Sequence, residues 1–115
     1  MTSRSQSPPV SLEISGEPVV LPGAVDVALL RIAQEAVGNA VRHAHASRIA
    51  VTLSYMDDEV ALDVVDDGTG LAADAGGFGM TTMRDRAERL GGALVVESTP
   101  RRGTAVAVSV PLAPS

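Results

Sequence analysis

Residues 26–45 read DVALLRIAQEAVGNAVRHAH, and their apolar side chains recur at steps of three and four residues. This spacing predicts an amphipathic α-helix, which must pack one side against another element to bury its apolar stripe. Pro22 and Gly23 precede the helix, and Asp26 is suited to cap its first turn. The predicted stripe comprises Leu29, Leu30, Ala33, Val37, Ala40, Val41 and Ala44.

Segments of alternating apolar and polar residues flank this helix, as expected of strands that bury one face. One precedes it at 10–14, and two follow at 49–55 and 60–65 with a turn at Asp57-Asp58. A second helix is predicted from about Met80 to Leu90, and two more strands come after it. Because the hairpins favour antiparallel pairing and each helix has one apolar stripe, we predict an α+β, two-layer sandwich. Its sheet would be mixed, mostly antiparallel, and covered on one face by helices.

Composition narrows the possible function classes. The chain has 115 residues and a formal net charge of -5, with no cysteine and no lysine. Without cysteine, disulfides, thiolate nucleophiles and Cys-ligated metals are excluded, and without lysine the P-loop is excluded. The two aromatic residues, Tyr55 and Phe78, are too few for base stacking. The acidic balance argues against nucleic acid or an anionic membrane as a partner.

Length and hydropathy predict one folded domain. Residues 1–9 are rich in Ser, Pro, Arg and Gln, and we expect them to form a disordered tail or a remnant, with the domain at 10–112. No stretch approaches the length and apolarity of a transmembrane helix. We therefore expect a cytoplasmic domain that is monomeric in isolation and does not contact the membrane directly.

Polar residues lie along one face of the long helix. Asn39, Arg42 and His43 follow Glu35 by four, seven and eight residues, which places all four side chains beside the apolar stripe. Carboxylate and amide oxygens one turn apart suit Mg²⁺ or its waters, and a neighbouring Arg suits a phosphate. A solvated polar face is the alternative interpretation of this spacing.

Three glycine-containing segments are further candidates. Residues 66–70, DDGTG, end a predicted strand, where glycine lets a backbone approach a ligand and a carboxylate can accept from an amino group. Residues 76–79, GGFG, open the second helix, whose first N–H groups can bind an anion. Gly103-Thr104 opens the last strand. Taken singly, each segment is also an ordinary turn or linker.

Together and in this order, the segments resemble the ATP-binding catalytic domain of bacterial sensor histidine kinases. This superfamily also includes DNA gyrase, the heat-shock chaperone ATPase and the mismatch-repair ATPase. Residues 31–44, RIAQEAVGNAVRHA, resemble the N-box motif of this superfamily. Its three G-box motifs are resembled by DDGTG at 66–70, GFGM at 77–80 and Gly103-Thr104. The run MRDRAERLGG at 83–92 is similar to the nitrate-sensor-like subfamily, which has a short ATP lid. The resemblance implies the Bergerat fold.

The resemblance also implies a role for each matching residue. Glu35 and Asn39 match the catalytic pair, in which the Asn chelates Mg²⁺ between the phosphates and the acid organises the metal and its water. Arg42, where many members have Lys, and His43 match the basic pair that faces the phosphates. Asp66 matches the carboxylate that accepts the exocyclic amine of adenine, which favours ATP over GTP. The other ATP-binding positions implied are Gly68, Gly70, Gly77, Phe78, Gly79, Met80 and Thr104.

The implied reaction is transfer of the γ-phosphoryl group from ATP to a histidine on a dimerisation domain, with a response regulator downstream. The two histidines of the chain, His43 and His45, belong to the N-box end, so neither matches the phosphoacceptor. We therefore expect the chain to bind ATP and Mg²⁺ without phosphorylating itself. Two alternatives are an anti-sigma-factor-type serine kinase and a non-catalytic nucleotide-sensing interaction module.

Overall fold

The computed structural model describes residues 9–42, 46–68, 80–99 and 101–112. The predicted tail at 1–9 therefore lies, apart from Pro9, outside the described residues. The described elements are β1 (Val10–Ser15), α1 (Gly23–Arg42), β2 (Ile49–Tyr55), β3 (Glu59–Asp66), α2 (Met80–Arg89), β4 (Ala93–Thr99) and β5 (Gly103–Pro111). Their order is the predicted one. Neither helix of this described part is long and apolar enough to cross a membrane.

Helix α1 begins three residues earlier than the sequence pattern suggested. The N–H groups of Val25 and Asp26 both donate to the carbonyl of Pro22, at 2.9 and 3.1 Å. Asp26 consequently lies inside the first turn, and the prediction that it caps the helix is wrong. Its negative charge still stabilises the positive end of the helix dipole.

The five strands form one sheet in the order β1-β2-β3-β5-β4. β1 pairs with β2 in parallel, because α1 carries the chain back to the same end of the sheet between them. The other three pairings are antiparallel. β5 lies between β3 and β4, so the first residues of β5 lie beside the last residues of β3. The predicted mixed, mostly antiparallel sheet is confirmed.

Both helices pack on one face of the sheet. The buried strand residues are alternate ones, and they join residues of α1 and α2 in a single apolar cluster. Because side chains alternate between the faces of a strand, this cluster lies on one face only, which confirms the two-layer α+β sandwich. Each large aliphatic side chain buried there contributes about 1.5–3 kcal/mol. The fully buried large side chains are Ile32, Ile49, Val60, Val64, Met83, Val108 and Val110.

The buried face of α1 differs from the predicted stripe. Leu29 and Ala40 are buried as expected, but Leu30 and Val41 are 58% and 39% exposed. The core is instead filled by residues on a neighbouring stripe of the same helix, namely Val25, Ala28, Ile32 and Ala36. Much of the circumference of α1 is apolar, so two neighbouring stripes have the same periodicity, and the contact with the sheet decides which one is buried.

Helix α2 ends at the glycine pair that the sequence pattern indicated. Gly91 has a φ of +75°. The Gly92 N–H donates to the Ala87 carbonyl at 2.9 Å, and the Gly91 N–H to the Glu88 carbonyl at 3.0 Å. This pair of bonds satisfies the last carbonyls of the helix as a Schellman motif and turns the chain into β4.

Candidate functional site

Three polar side chains are buried within the described part of the chain. They are Asn39, Asp66 and Thr104, at 5%, 8% and 6% exposure. All three belong to the residues singled out in the sequence. Because burying a polar group costs free energy unless it gains a partner, polar residues inside a small apolar core mark a specific role.

Asp66 and Thr104 meet at one end of the sheet. They are the last residue of β3 and the second residue of β5, and they are direct partners in the antiparallel pairing. On the far side of β5, Thr104 pairs with Ser98 of β4, and their hydroxyl oxygens are 3.1 Å apart. The sheet therefore aligns a carboxylate and two hydroxyls in a row across three strands.

The Asp66 carboxylate is held by the start of its own glycine loop. Its Oδ1 accepts a hydrogen bond from the N–H of Gly68 at 2.8 Å. No donor of the described residues bonds to Oδ2. Gly68 is itself buried. The local turn thus orients the Asp66 carboxylate through one of its two oxygens.

Gly103 permits the close approach of β5 to the backbone of Asp66. Its φ is +121°, a conformation that L side chains rarely adopt, and a Cβ at this position would collide with the backbone carbonyl of Asp66. The same Cβ would lie 3.1 Å from the Cα of Asp67. Gly103 was noted in the sequence as part of a turn, and the structure shows that it sets the spacing between β3 and β5 at the site.

Asp67 was not among the predicted site residues, yet its carboxylate accepts more hydrogen bonds than that of Asp66. Its Oδ1 accepts from the backbone N–H groups of Ser47 and Arg48, both at 2.9 Å, and its Oδ2 accepts from the Ser47 hydroxyl at 2.6 Å. The Ser47 hydroxyl is the largest cause that holds the pKa of Asp67 below its ordinary value of 3.8. Desolvation is the next largest effect and opposes it, while each backbone N–H bond lowers the pKa by a smaller amount. The only sequence signal was an Asp-Asp pair at the end of a strand.

The predicted residues of α1 differ in burial. Asn39 is buried, Glu35 is half-buried, and Arg42 is exposed at the last position of the helix. The guanidinium of Arg42 lies over Gly38, with Nη1 2.8 Å from the point that a Cβ would occupy there. Glu35 and Asn39 are one turn apart, so they belong to the same side of the helix.

Several predicted positions lie outside the described residues: His43, Gly70, Gly77, Phe78 and Gly79. Met80 is the first residue of α2, which confirms that a helix starts directly after the second glycine segment. Within the described ranges, no group of three or more His, Cys, Asp and Glu side chains could hold a metal ion by itself.

Comparisons with known proteins show the family to which the chain belongs. The sequence profile of the family described as "Histidine kinase-, DNA gyrase B-, and HSP90-like ATPase" matches residues 24–114. The sensor histidine kinase LiaS of Bacillus subtilis is 34% identical over 109 residues, which cover 92% of this chain and 30% of LiaS. The nitrate/nitrite sensor protein NarX of Escherichia coli is 38% identical over 104 residues, covering 88% of this chain and 17% of NarX. The chain thus spans less than a third of these relatives.

Solved structures show the same fold. The histidine kinase domain of the blue-light activated histidine kinase from Erythrobacter litoralis EL346 superposes with a TM-score of 0.75 at 24% identity, over 90% of this chain and 52% of that one. The longer chain of the same kinase gives a TM-score of 0.70 at 26% identity, over 90% of this chain and 35% of that one. The profile match covers most of the chain, and this protein belongs to the family of histidine kinase-, DNA gyrase B- and HSP90-like ATPases.

Proposed function

We propose that residues 10–112 form the ATP-binding catalytic domain of a sensor histidine kinase. The domain binds ATP with Mg²⁺ and donates the γ-phosphoryl group to a histidine on a dimerisation domain, from which a response regulator receives it. The observation that carries the proposal is the burial of three polar side chains, Asn39, Asp66 and Thr104, at positions singled out by the resemblance of the sequence motifs.

The end of the sheet at Asp66 is suited to adenine. Gly68 occupies Oδ1, so Oδ2 is left to accept from the exocyclic amine of the base. Guanine has a carbonyl oxygen on the equivalent ring carbon, and two acceptors facing each other repel. The hydroxyl of Thr104, paired in the sheet with Asp66 and bonded to Ser98, supplies a polar group beside the base.

The residues of α1 fit Mg²⁺ bound together with phosphates. Mg²⁺ keeps several waters and takes one or two protein oxygens in addition to those of the phosphates. The amide oxygen of Asn39 and the carboxylate of Glu35, one turn earlier, form such a small donor set. When bound, Mg²⁺ supplies charge neutralisation at the phosphates.

The remaining phosphate contacts are proposed from two helix ends. Arg42 provides a fixed positive charge at the end of α1, and His43 follows it. At Met80, the first N–H groups of α2 lack intrahelical acceptors and suit an anion. Gly70, Gly77, Phe78 and Gly79 complete the proposed ATP contacts. Positioning and charge stabilisation are the main contributions that a protein makes to phosphoryl transfer.

Isothermal titration with ATP and Mg²⁺ tests the binding function. We expect saturable binding that weakens strongly when EDTA removes the metal. Asn39→Ala should weaken binding about tenfold, because it removes a charge-assisted contact of about 1.5 kcal/mol. Gln34→Ala, at an exposed amide on the same helix, is the matched control and should bind like the parent. Absence of ATP binding by the parent chain would favour the non-catalytic interaction module.

Radiolabelled ATP tests the transfer reaction. The chain alone should acquire no stable phosphohistidine, because His43 and His45 occupy the N-box end. With a dimerisation domain that carries the acceptor histidine, we expect a label on that domain that acid removes and alkali does not. Acid-stable label on a serine of an added substrate would instead identify the serine-kinase alternative.

A further inference from the structure

The two neighbouring aspartates at the end of β3 serve different structures. Asp66 is buried at the row of polar groups across the sheet, whereas Asp67 is exposed and bonds to the loop that follows α1. In addition to the three bonds its carboxylate accepts from Ser47 and Arg48, the Asp67 N–H donates to the Arg48 carbonyl at 3.3 Å. Four hydrogen bonds thus join residue 67 to residues 47 and 48.

This loop is fastened to α1 on its other side. The N–H of Ala46 donates to the carbonyl of Ala40 at 3.2 Å, and Ala46 is buried in the apolar core. Ala40 directly follows Asn39 in the helix. A short series of bonds therefore leads from the last turns of α1, through residues 46–48, to Asp67 and so to Asp66.

We propose that Asp67 is a positioning residue of the nucleotide site: by holding the 46–48 loop, its carboxylate fixes the placement of Asn39 relative to Asp66. The inference rests on the proposed function, in which Asn39 serves the phosphates and Mg²⁺ while Asp66 serves adenine. A nucleoside triphosphate must contact Asn39 and Asp66 at the same time, so its affinity depends on the relative placement of these two residues. Adenosine contacts only the Asp66 end of the site, so its affinity does not depend on that placement.

The hydrogen-bond pattern explains why a carboxylate occupies this position. Three donors converge on it, and each oxygen receives at least one of them. An exposed carboxylate with converging donors keeps its charge at neutral pH, and its lowered pKa agrees with this environment. Asn could accept both backbone N–H groups through its oxygen and donate its amide to the Ser47 hydroxyl, so it should preserve most of the link.

The test compares the affinities of ATP·Mg²⁺ and adenosine for four variants. Asp67→Ala should weaken ATP·Mg²⁺ by about tenfold and adenosine by less than about twofold. Asp67→Asn should restore the ATP·Mg²⁺ affinity to within about threefold of the parent. Ser47→Ala removes one of the three bonds to the carboxylate, so its ATP·Mg²⁺ affinity should lie between those of Asp67→Ala and Asp67→Asn. Asp57→Ala, at an exposed aspartate in the β2–β3 turn, is the matched control and should change neither affinity.

Amide hydrogen exchange provides a second readout. The N–H groups of Ser47 and Arg48 should lose protection in Asp67→Ala, while those of β3 and β5 keep theirs. If Asp67→Ala fails to fold, the same comparison is made with Ser47→Ala, whose ATP·Mg²⁺ affinity should fall by about threefold with adenosine unchanged.

The outcomes separate the two proposals. If the parent binds ATP·Mg²⁺ and the variants at 67 and 47 weaken adenosine as much as ATP·Mg²⁺, or weaken neither, the positioning role is overturned and the ATP site stands. If the parent binds no ATP·Mg²⁺, the proposed function and this inference are overturned together.

Discussion

Replacing Asp66 with Asn probes the proposed contact with adenine and leaves the volume of the side chain almost unchanged. In the parent, the Gly68 N–H donates to Oδ1 at 2.8 Å, and the residue is 8% exposed. Asn keeps an oxygen for Gly68 and therefore places its NH₂ group where Oδ2 was. That NH₂ group would face the exocyclic amine of adenine, donor against donor, in a position with little access to water.

The expected magnitude follows from two losses. A hydrogen bond to a charged group contributes about 1.5–3 kcal/mol, and an unpaired buried donor costs about 1–3 kcal/mol. Together they amount to about 2.5–6 kcal/mol, so the Kd for ATP should rise by roughly a hundredfold or more. Inosine triphosphate carries a carbonyl oxygen in place of the adenine amine, so the NH₂ group introduced by Asp66→Asn would suit it better than the parent carboxylate does. We therefore expect the preference for ATP over inosine triphosphate to narrow sharply or reverse.

Isothermal titration of both nucleotides measures this change. Asp63→Asn is the matched control, because Asp63 lies on the same strand and alternates onto the opposite face of the sheet. It should leave both affinities unchanged. Equal losses of ATP and inosine triphosphate affinity in Asp66→Asn, or an ATP affinity no weaker than that of the control, would refute the assignment of Asp66 to the adenine amine.

Three further predictions concern stability and ionisation. Gly103→Ala should destabilise the fold by about 2 kcal/mol or more in urea unfolding and weaken ATP binding, because its Cβ meets the Asp66 carbonyl at a strained φ; parent-like values for both would contradict this. Ile32→Ala, at a side chain with 0% exposure, should cost about 2–5 kcal/mol by the same assay, and a loss below about 1 kcal/mol would show that the core is not packed around it. Ser47→Ala should raise the pKa of Asp67 toward 3.8 in an NMR titration, since the Ser47 hydroxyl is the main cause of the lowered value; an unchanged pKa would contradict that cause. Because the folded pKa of Asp67 is depressed, its stabilising effect is present above the unfolded pKa near 3.8 and is lost as pH falls through the lower folded value.

The elements of the fold could be predicted because their signals are local. Alternation at 49–55 and 60–65 indicated the hairpin, and the three-and-four spacing indicated α1, since these periods follow from backbone geometry alone. The glycine pair that ends α2 was an equally local signal of a helix terminus. The orientation of α1 could not be obtained in this way, because two adjacent stripes of the helix are apolar and Leu30 was assigned to the wrong one.

The candidate site shows the same division. Asn39, Asp66 and Thr104 were singled out from residue type and motif order, and the structure shows that all three are buried. Their mutual arrangement depends on β5 entering between β3 and β4, which no local pattern reveals. The predictions for His43 and for the lid glycines remain predictions.

By itself, the sequence determined the order of helices and strands, the class of fold and the residue types available for binding a nucleotide. The tertiary structure alone decided that Gly103 lies against the Asp66 backbone and that Asp67 holds Ser47, twenty positions earlier in the chain. The physical reason is that propensity and periodicity act over a few residues. Contacts between distant residues depend instead on how the strands pair and how the helices pack on the sheet, which the whole chain determines together.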